Sequence, residues 1–223
     1  MIKTWRWIGK NDPITLRSLK QIGVEGIVTS LYHIQPGVVW AEDEIKNLNE
    51  FIESQGLVWS VVESVPVAES IKYAGENRDE LIENFRQSII HLGKHGINTV
   101  CYNFMPVIDW IRTDLNRILP DGTSILYFDK IRFGYFDINI LKREGAEKDF
   151  SEEELLKIEE LDKTISQKEK DDLIFTIIIK TQGFINRNIV GENQDPVDAF
   201  NSLLKLYHGI GKDKLRDKVL IMS

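Results

Sequence analysis

The chain has 223 residues, of which 42% are hydrophobic, so it can bury a substantial core in one or two domains. Its 35 acidic and 28 basic residues give a net charge of -7, which argues against a general nucleic-acid or anionic-membrane binder. The single cysteine, Cys101, excludes an internal disulfide framework, and no apolar run approaches the roughly 20 residues that a membrane helix needs.

The first half of the chain alternates predicted strands and helices. No hydrophobic signal region opens it, and we therefore expect a cytoplasmic protein. Asp12 is predicted to cap the first helix, with Pro13 at its first position, because these residue types favour those places. Strands are predicted at 4–8, 26–31, 57–63 and 97–102, and helices at 13–22, 42–55 and 78–95. The strands are nearly continuous apolar runs, which indicates a parallel sheet covered by helices.

The regular alternation ends after Pro106. A turn is predicted at 120–122 and a helical run up to Leu141, and Ser151 begins a capping-box helix. Further helices are predicted at 168–180, 196–207 and 212–221, and no strand of comparable quality is predicted in this half.

The pattern predicts an α/β fold of the TIM (β/α)8-barrel type, incomplete, in which the first four strands are followed by a helical C-terminal segment. We expect a single domain over 1–223, with four β-α repeats in 1–107 and a mostly helical excursion in 108–223. Because no stop signal follows the last amphipathic pattern, we expect a truncated chain.

Three polar side chains follow predicted strands, which is where α/β barrels place their chemistry. His33 follows the second strand and is either a ligand, acid or base, or a loop histidine bonded to backbone. Glu63 closes an apolar run, and since unpaired burial of a carboxylate is very costly, it is solvated, salt-bridged or functional. Asn103 has the matching place after the fourth strand, where it either holds a substrate hydroxyl or caps the strand in an Asx-type turn.

Other residues with chemical potential have ordinary structural explanations beside the functional ones. Asp109 and Arg112 either bind a polar substrate or form a local ion pair at i,i+3 spacing. Cys101 lies inside a strand pattern and is predicted to be a small buried hydrophobe. His91 and His95 have the i,i+4 spacing of helical metal ligands, but no glutamate lies between them as in a metalloprotease helix, and we expect a solvated face.

Several long runs strongly resemble the N-terminal half of bacterial mannonate dehydratase. The likeness is close from residue 1 to about 150 and returns around 200–216. The runs that carry it are 4–7 (Thr-Trp-Arg-Trp), 11–13 (Asn-Asp-Pro), 56–66, 99–107, 112–114 (Arg-Thr-Asp) and 140–143 (Ile-Leu-Lys-Arg). The resemblance implies a TIM-barrel lyase that converts D-mannonate to 2-keto-3-deoxy-D-gluconate and water in hexuronate breakdown, with Mn²⁺ or Fe²⁺. In that chemistry the metal polarises substrate oxygens, a base takes the C2 proton and an acid assists loss of the C3 hydroxyl.

The chain departs from the family's pattern where the family's metal is held. The resemblance implies metal ligands, two His, a Cys and an Asp, together with catalytic acid-base groups, on later strands of the barrel, and those motifs are absent here. Cys101 does not match the family's metal-binding cysteine. Asn139 and Glu144 stand where the family has His and Pro, and the segment 176–188 is unlike its relatives.

The matching positions are expected to form the substrate-facing wall of the site. They are His33, Glu63 and Asn103, with Arg6, Asp109 and Arg112 as further substrate-binding candidates. No metal ligand and no catalytic residue is assigned, and the chain alone is expected to be inactive. The sugar acid D-mannonate is the expected partner, and the complete protein is expected to be a homo-oligomer. The alternatives are a non-catalytic half-barrel that assembles with a second chain, and a related sugar isomerase of the same barrel type.

Overall fold

The computed structural model describes residues 1–101, 103–181 and 194–220. The chain divides into two compact units, which are described separately below. The first, here the sheet unit, comprises Met1–Pro106 and the segment that begins at Ile210. The second, here the helical unit, is Val107–Gly209.

The sheet unit alternates strands and helices, as predicted. Its elements are β1 (Thr4–Arg6), α1 (Leu16–Gln21), β2 (Gly26–Thr29), α2 (Glu42–Ser54), β3 (Val58–Val62), α3 (Glu69–Tyr73) and α4 (Arg78–Lys94). The predicted helices over 42–55 and 78–95 are confirmed as α2 and α4. Both could be predicted because apolar residues recur along them at helical spacing. The short helix α3 was not predicted, because five residues give too little periodicity to read.

The strands form a parallel sheet in the order β1-β2-β3, so neighbours in sequence are neighbours in the sheet. Arg6 lies opposite Val28, and Thr29 opposite Val62, with a bulge in the β2–β3 register after Ile27. The fourth predicted strand is reduced to a parallel bridge between Val100 and Val62. Tyr102, at the end of that prediction, lies outside the described residues. The carboxyl ends of these segments therefore share one edge of the sheet.

The core of the sheet unit lies between the sheet and the helices α1, α2 and α4. Ile27 and Val62 on the strands and Ile45 and Ile52 on α2 are fully buried. A buried aliphatic side chain of this size contributes about 1.5–3 kcal/mol to folding. This packing holds β2 and β3, and with them the polar residues at their ends, in fixed positions.

The first helix begins later than predicted. The Asp12 side chain does not cap it; instead its two carboxylate oxygens accept hydrogen bonds from the backbone N–H groups of Ile8 (2.8 Å) and Ile14 (2.9 Å), which folds the segment into a turn. Thr15 is the cap, and its hydroxyl accepts from the Ser18 N–H at 3.1 Å. The prediction was wrong because an Asp-Pro pair suits both a helix start and a turn.

The helical unit contains a β-hairpin that was not predicted. The strands β4 (Asp114–Ile118) and β5 (Ser124–Tyr127) pair antiparallel around the predicted turn. In that turn the Asp121 carboxylate accepts from the backbone and hydroxyl of Thr123, and Gly122 adopts φ +83°. No strand was predicted here, because these strands are short and mostly exposed and carry no buried apolar run.

The remaining elements of the helical unit are helices. They are α5 (Lys130–Tyr135) continued by a π-helical turn (Phe136–Ile140), a 3₁₀ turn (Ala146–Asp149), α6 (Glu152–Thr164), α7 (Gln167–Ile174) continued by a π-helical turn (Phe175–Lys180), and α8 (Pro196–Leu206). The last helix, α9 (Lys212–Leu220), belongs to the sheet unit. The predicted capping box at Ser151 is confirmed, with Glu154 as its partner. Residues 182–188 of the unusual segment lie outside the described residues.

No helix in the described parts of the chain is long and apolar enough to cross a membrane.

Candidate active-site edge

The carboxyl edge of the parallel sheet carries an ion pair between two of the predicted site residues. Arg6 is the last residue of β1, and Glu63 directly follows β3. The Glu63 N–H donates to the Thr29 carbonyl at 3.0 Å, so the end of β3 is fixed on β2. Arg6 Nη1 lies 3.6 Å from Glu63 Oε1 across the end of β2, and their side chains remain 43% and 32% exposed. The pair is therefore formed and still open to a ligand.

Tyr32 lies beside this ion pair. Its hydroxyl donates to the Trp7 carbonyl at 3.3 Å. Burial raises the pKa of the Tyr32 phenol, and the charge of Glu63 raises it further, while hydrogen bonding to Thr29 and the Arg6 guanidinium oppose the shift. Tyr32 is therefore a neutral hydrogen-bond donor at physiological pH.

Cys101 borders the same cluster from the fourth extended segment. Burial raises the pKa of its thiol, the Glu63 carboxylate raises it further, and the Arg6 guanidinium acts against both. A raised pKa leaves little thiolate, so Cys101 is not an activated nucleophile. The side chain is half-buried, which is less burial than the predicted strand position implied.

Asn103 lies three residues after Val100, which forms the parallel bridge to Val62. Its side chain is half-buried. The backbone just beyond it is fixed, because Lys72 Nζ donates to the Met105 carbonyl at 3.0 Å. Asn103 is thus placed after the fourth extended segment, as Glu63 is after β3.

His33 has a different partner from the other strand-end residues. Its Nε2 lies 3.0 Å from Glu44 Oε2 on α2, and both side chains are about half exposed. His33, Glu44 and Tyr32 line a cavity of about 340 Å³ at the end of β2. The two interpretations offered from sequence were a backbone-bonded loop histidine and a ligand, acid or base, and neither named this carboxylate partner.

Asp109 and Arg112 belong to the helical unit. The Asp109 carboxylate accepts from the Trp110 N–H at 2.6 Å. Arg112 donates from Nη1 to the Ile111 carbonyl at 2.7 Å, and its guanidinium lies 6.0 Å from the centre of the Trp110 ring. Both side chains thus contact their immediate sequence neighbours.

His91 and His95 do not form the solvated face expected from sequence. Both are mostly buried and lie near Glu42, the first residue of α2, with Nε2 to carboxylate distances of 3.6 and 3.9 Å. Lys94 Nζ contacts the same carboxylate at 2.5 Å, and this hydrogen bond is the main reason that the pKa of Glu42 is lowered. The cluster therefore joins the end of α4 to the start of α2.

The residues at the sheet edge do not fit a divalent metal. Mn²⁺ and Fe²⁺ need several carboxylate or imidazole donors, whereas Glu63 is the only carboxylate in this ion pair and the Arg6 guanidinium occupies it. Over residues 1–101, 103–181 and 194–220, no three His, Cys, Asp or Glu side chains are grouped so as to hold a metal ion. We therefore derive no step through a metal at this edge.

Two residues of this region were missed by the sequence reasoning. Tyr32 lies in the same strand-end run as His33, and its place after a predicted strand was the signal that could have found it. Glu44 gave no signal, because an acidic residue in the first turn of a helix is fully explained by the helix dipole.

Comparison with known proteins identifies the family of the chain. The family model for D-mannonate dehydratase (UxuA) matches residues 1–222. The chain is 44% identical to a mannonate dehydratase of Marinomonas sp. (strain MWYL1) over 217 residues, covering 97% of this chain and 54% of that protein. It is 40% identical to a mannonate dehydratase of Saccharophagus degradans, covering 97% of this chain and 53% of that protein.

A solved structure gives the same result. The crystal structure of mannonate dehydratase from Streptococcus suis serotype2 matches with a TM-score of 0.57 and 36% identity, over 90% of this chain and 51% of that chain. The chain thus spans about half the length of the relatives it matches. Because the family model covers nearly every residue and the identities are high, the chain belongs to the D-mannonate dehydratase family.

Proposed function

We propose that this chain supplies the substrate-side wall of a mannonate dehydratase, which converts D-mannonate to 2-keto-3-deoxy-D-gluconate and water. The observation that carries the proposal is the Arg6–Glu63 ion pair at the carboxyl edge of a parallel sheet. The order β1-β2-β3 supports a wider proposal, that the sheet unit opens a (β/α)8 barrel and that 1–223 is one domain with the helical unit as an excursion.

Arg6 is suited to hold the carboxylate of a sugar acid. A guanidinium presents paired N–H donors that match the two oxygens of a carboxylate. The existing Arg6–Glu63 pair is partly exposed and is long for a hydrogen bond, so exchanging one carboxylate for another costs little. Glu63, once displaced, accepts a hydrogen bond from a substrate hydroxyl, and the Tyr32 hydroxyl and the Asn103 amide offer further polar contacts.

The overall reaction removes the C2 hydrogen and the C3 hydroxyl as water, and the resulting enol becomes the 2-keto acid. In the reaction that the resemblance implies, Mn²⁺ or Fe²⁺ would polarise the substrate, and no residue of this sheet edge is proposed to hold it. The residues described here are proposed for binding only: Arg6, Glu63 and Asn103 at the sheet edge, His33 beside it, and Asp109 and Arg112 in the helical unit. A cytoplasmic location and a homo-oligomeric complete protein remain part of this proposal.

The test is direct binding of D-mannonate to the 223-residue chain by isothermal titration calorimetry. Arg6→Gln should weaken binding about tenfold to a hundredfold, since a charge-assisted hydrogen bond contributes about 1.5–3 kcal/mol. Glu63→Gln should weaken it less, because an amide still accepts from a hydroxyl.

The matched control is Arg86→Gln, which removes an exposed arginine that is also paired with a carboxylate, Glu83, and should leave binding unchanged. D-mannitol, which lacks the carboxylate, should not bind. Binding that is insensitive to Arg6→Gln would refute the proposed wall. With added Mn²⁺ the chain alone should bind without turnover, and measured turnover would overturn the restriction to binding.

A further inference from the structure

A second cavity in the sheet unit is not used by the proposed binding of the carboxylate. It has a volume of about 340 Å³ and lies at the end of β2 in the sheet unit. Its lining is mixed, with three aliphatic side chains beside two carboxamides (Asn11 and Asn47), Lys10 and the His33–Glu44 pair. Carboxamides both donate and accept hydrogen bonds, which suits hydroxyl groups better than a second anion.

The cavity is adjacent to the Arg6–Glu63 pair through one shared residue. Tyr32 lines the cavity, and its phenol is also close enough to Arg6 and Glu63 for both charges to act on it. Tyr32 is therefore the residue common to the ion pair and the cavity. An open-chain six-carbon acid has hydroxyls on every carbon beyond the carboxylate, so its distal part offers hydroxyls to the polar side chains and C–H groups to the aliphatic ones.

Glu44 determines how His33 faces that cavity. The Glu44 carboxylate, in the first turn of α2, can only accept, so His33 donates from Nε2 across the 3.0 Å contact. This assignment follows from the hydrogen-bond network and leaves Nδ1 as the acceptor of the ring. A carboxylate behind an imidazole fixes both the tautomer and the orientation of the ring.

We propose that this cavity is a second subsite, which takes the hydroxyl-bearing chain of the sugar acid, with His33 Nδ1 accepting from a ligand hydroxyl. Glu44 is a positioning residue that acts through His33. The proposal rests on the proposed function, because it needs a ligand anchored at Arg6. It adds that affinity for long sugar acids, and not for short ones, depends on His33 and Glu44.

The experiment compares two ligands on the full 223-residue chain by calorimetry: D-mannonate, and D-glycerate, a three-carbon hydroxy acid that lacks the distal hydroxyl-bearing carbons. His33→Ala and Glu44→Gln should each weaken D-mannonate binding about tenfold. The double variant should be no weaker than His33→Ala, because Glu44 acts only through the imidazole. Neither substitution should change D-glycerate binding.

Glu50→Gln is the matched control, since Glu50 is an exposed carboxylate on the same helix, paired with Lys46 at 3.7 Å, and does not line the cavity. A second readout is the imidazole ¹⁵N spectrum, with the His33 signals assigned by their loss in His33→Ala. The Nδ1 signal should shift on addition of D-mannonate and stay in place with D-glycerate.

The outcomes separate the two proposals. If Arg6→Gln weakens D-mannonate binding but His33→Ala and Glu44→Gln do not, the subsite is overturned and the proposed function stands. If the two substitutions weaken both ligands equally, they act on the fold and the subsite is again overturned. If the unmodified chain binds neither acid, both proposals fail.

Discussion

The buried ion pair between Lys72 and Glu69 gives a sharp prediction about stability. Lys72 is 1% exposed, and its ammonium donates to Glu69 Oε1 at 2.6 Å and to the Met105 carbonyl at 3.0 Å. The Glu69 side chain is itself only 15% exposed. Glu69→Gln therefore removes the countercharge and leaves an ammonium in the interior of the sheet unit.

The expected cost of Glu69→Gln is about 3 kcal/mol. Removing one partner of a buried pair typically costs about 3–5 kcal/mol, because the remaining charge stays desolvated. The lower end applies here, since the Met105 carbonyl still accepts from Lys72 and the pair is not fully excluded from water. Lys72→Met removes the charge and keeps most of the side-chain volume, so it should cost only about 1–2 kcal/mol, chiefly for the carbonyl left without a donor.

The test is which substitution, Glu69→Gln or Lys72→Met, loses more free energy of unfolding, measured by urea unfolding. Four of the five tryptophans lie in the sheet unit, so their fluorescence reports on this unit. Adding Lys72→Met to Glu69→Gln should restore stability relative to Glu69→Gln alone. Glu83→Gln, at an exposed pair on α4, is the control and should change stability far less than Glu69→Gln does. A larger loss from Lys72→Met than from Glu69→Gln would refute the argument from desolvation.

Three further predictions address the ion pair and the helical unit. Glu63→Gln should lower the pKa of Cys101 and speed its alkylation by iodoacetamide, whereas Arg6→Gln should raise that pKa and slow the reaction. Equal rates would contradict the claim that both charges act on the thiol. The pKa of Glu169 is about 2 in the folded chain against an ordinary 4.5. Its contribution to the stability of the folded state is therefore complete above pH 4.5 and is lost as pH falls through about 2. Unfolding of Glu169→Gln followed against pH should lack that part of the acid dependence. Ser151→Ala should destabilise the start of α6 by about 1 kcal/mol, measured as faster amide exchange in its first turn.

The parts of the fold that sequence predicts well are those where several local signals agree. The helix α2 has an apolar face, acidic residues in its first turn and a glycine after its end, and it was predicted to within about a residue. The capping box at Ser151 is equally local, since donor and acceptor are three residues apart. A parallel sheet follows from apolar strands separated by helices, and the structure bears this out for β1, β2 and β3.

The predictions that failed depend on contacts that are distant in sequence or on short elements. The helix α1 starts at Leu16 because Asp12 bonds back to Ile8, which the Asp-Pro pair does not reveal. The β4–β5 hairpin is stabilised by its turn and by pairing of exposed strands, so no hydrophobic pattern marks it. His91 looked solvated on its own helix, and its partner Glu42 is far away along the chain.

In the candidate site, too, local features could be predicted from sequence and contacts between distant residues could not. A polar residue after an apolar strand could be found from sequence, and Glu63 and His33 were found in this way. Their partners could not, because Arg6 meets Glu63 only through the register of three strands, and Glu44 meets His33 only after α2 packs on the sheet. Side-chain pairs across a parallel sheet are set by packing of the whole unit and leave no short-range pattern.

The Arg6–Glu63 pair also suggests how the proposed site selects its ligand. A simple carboxylate that takes Arg6 leaves Glu63 without its partner and gains little, because one exposed ion pair replaces another. A sugar alcohol offers hydroxyls to Glu63 but cannot displace it from Arg6. Only a ligand with both groups satisfies the two side chains at once: its carboxylate replaces that of Glu63, and its hydroxyl returns a donor to Glu63. Selection for hydroxy acids therefore follows from the ion pair itself, because either group alone leaves one member of the pair worse off.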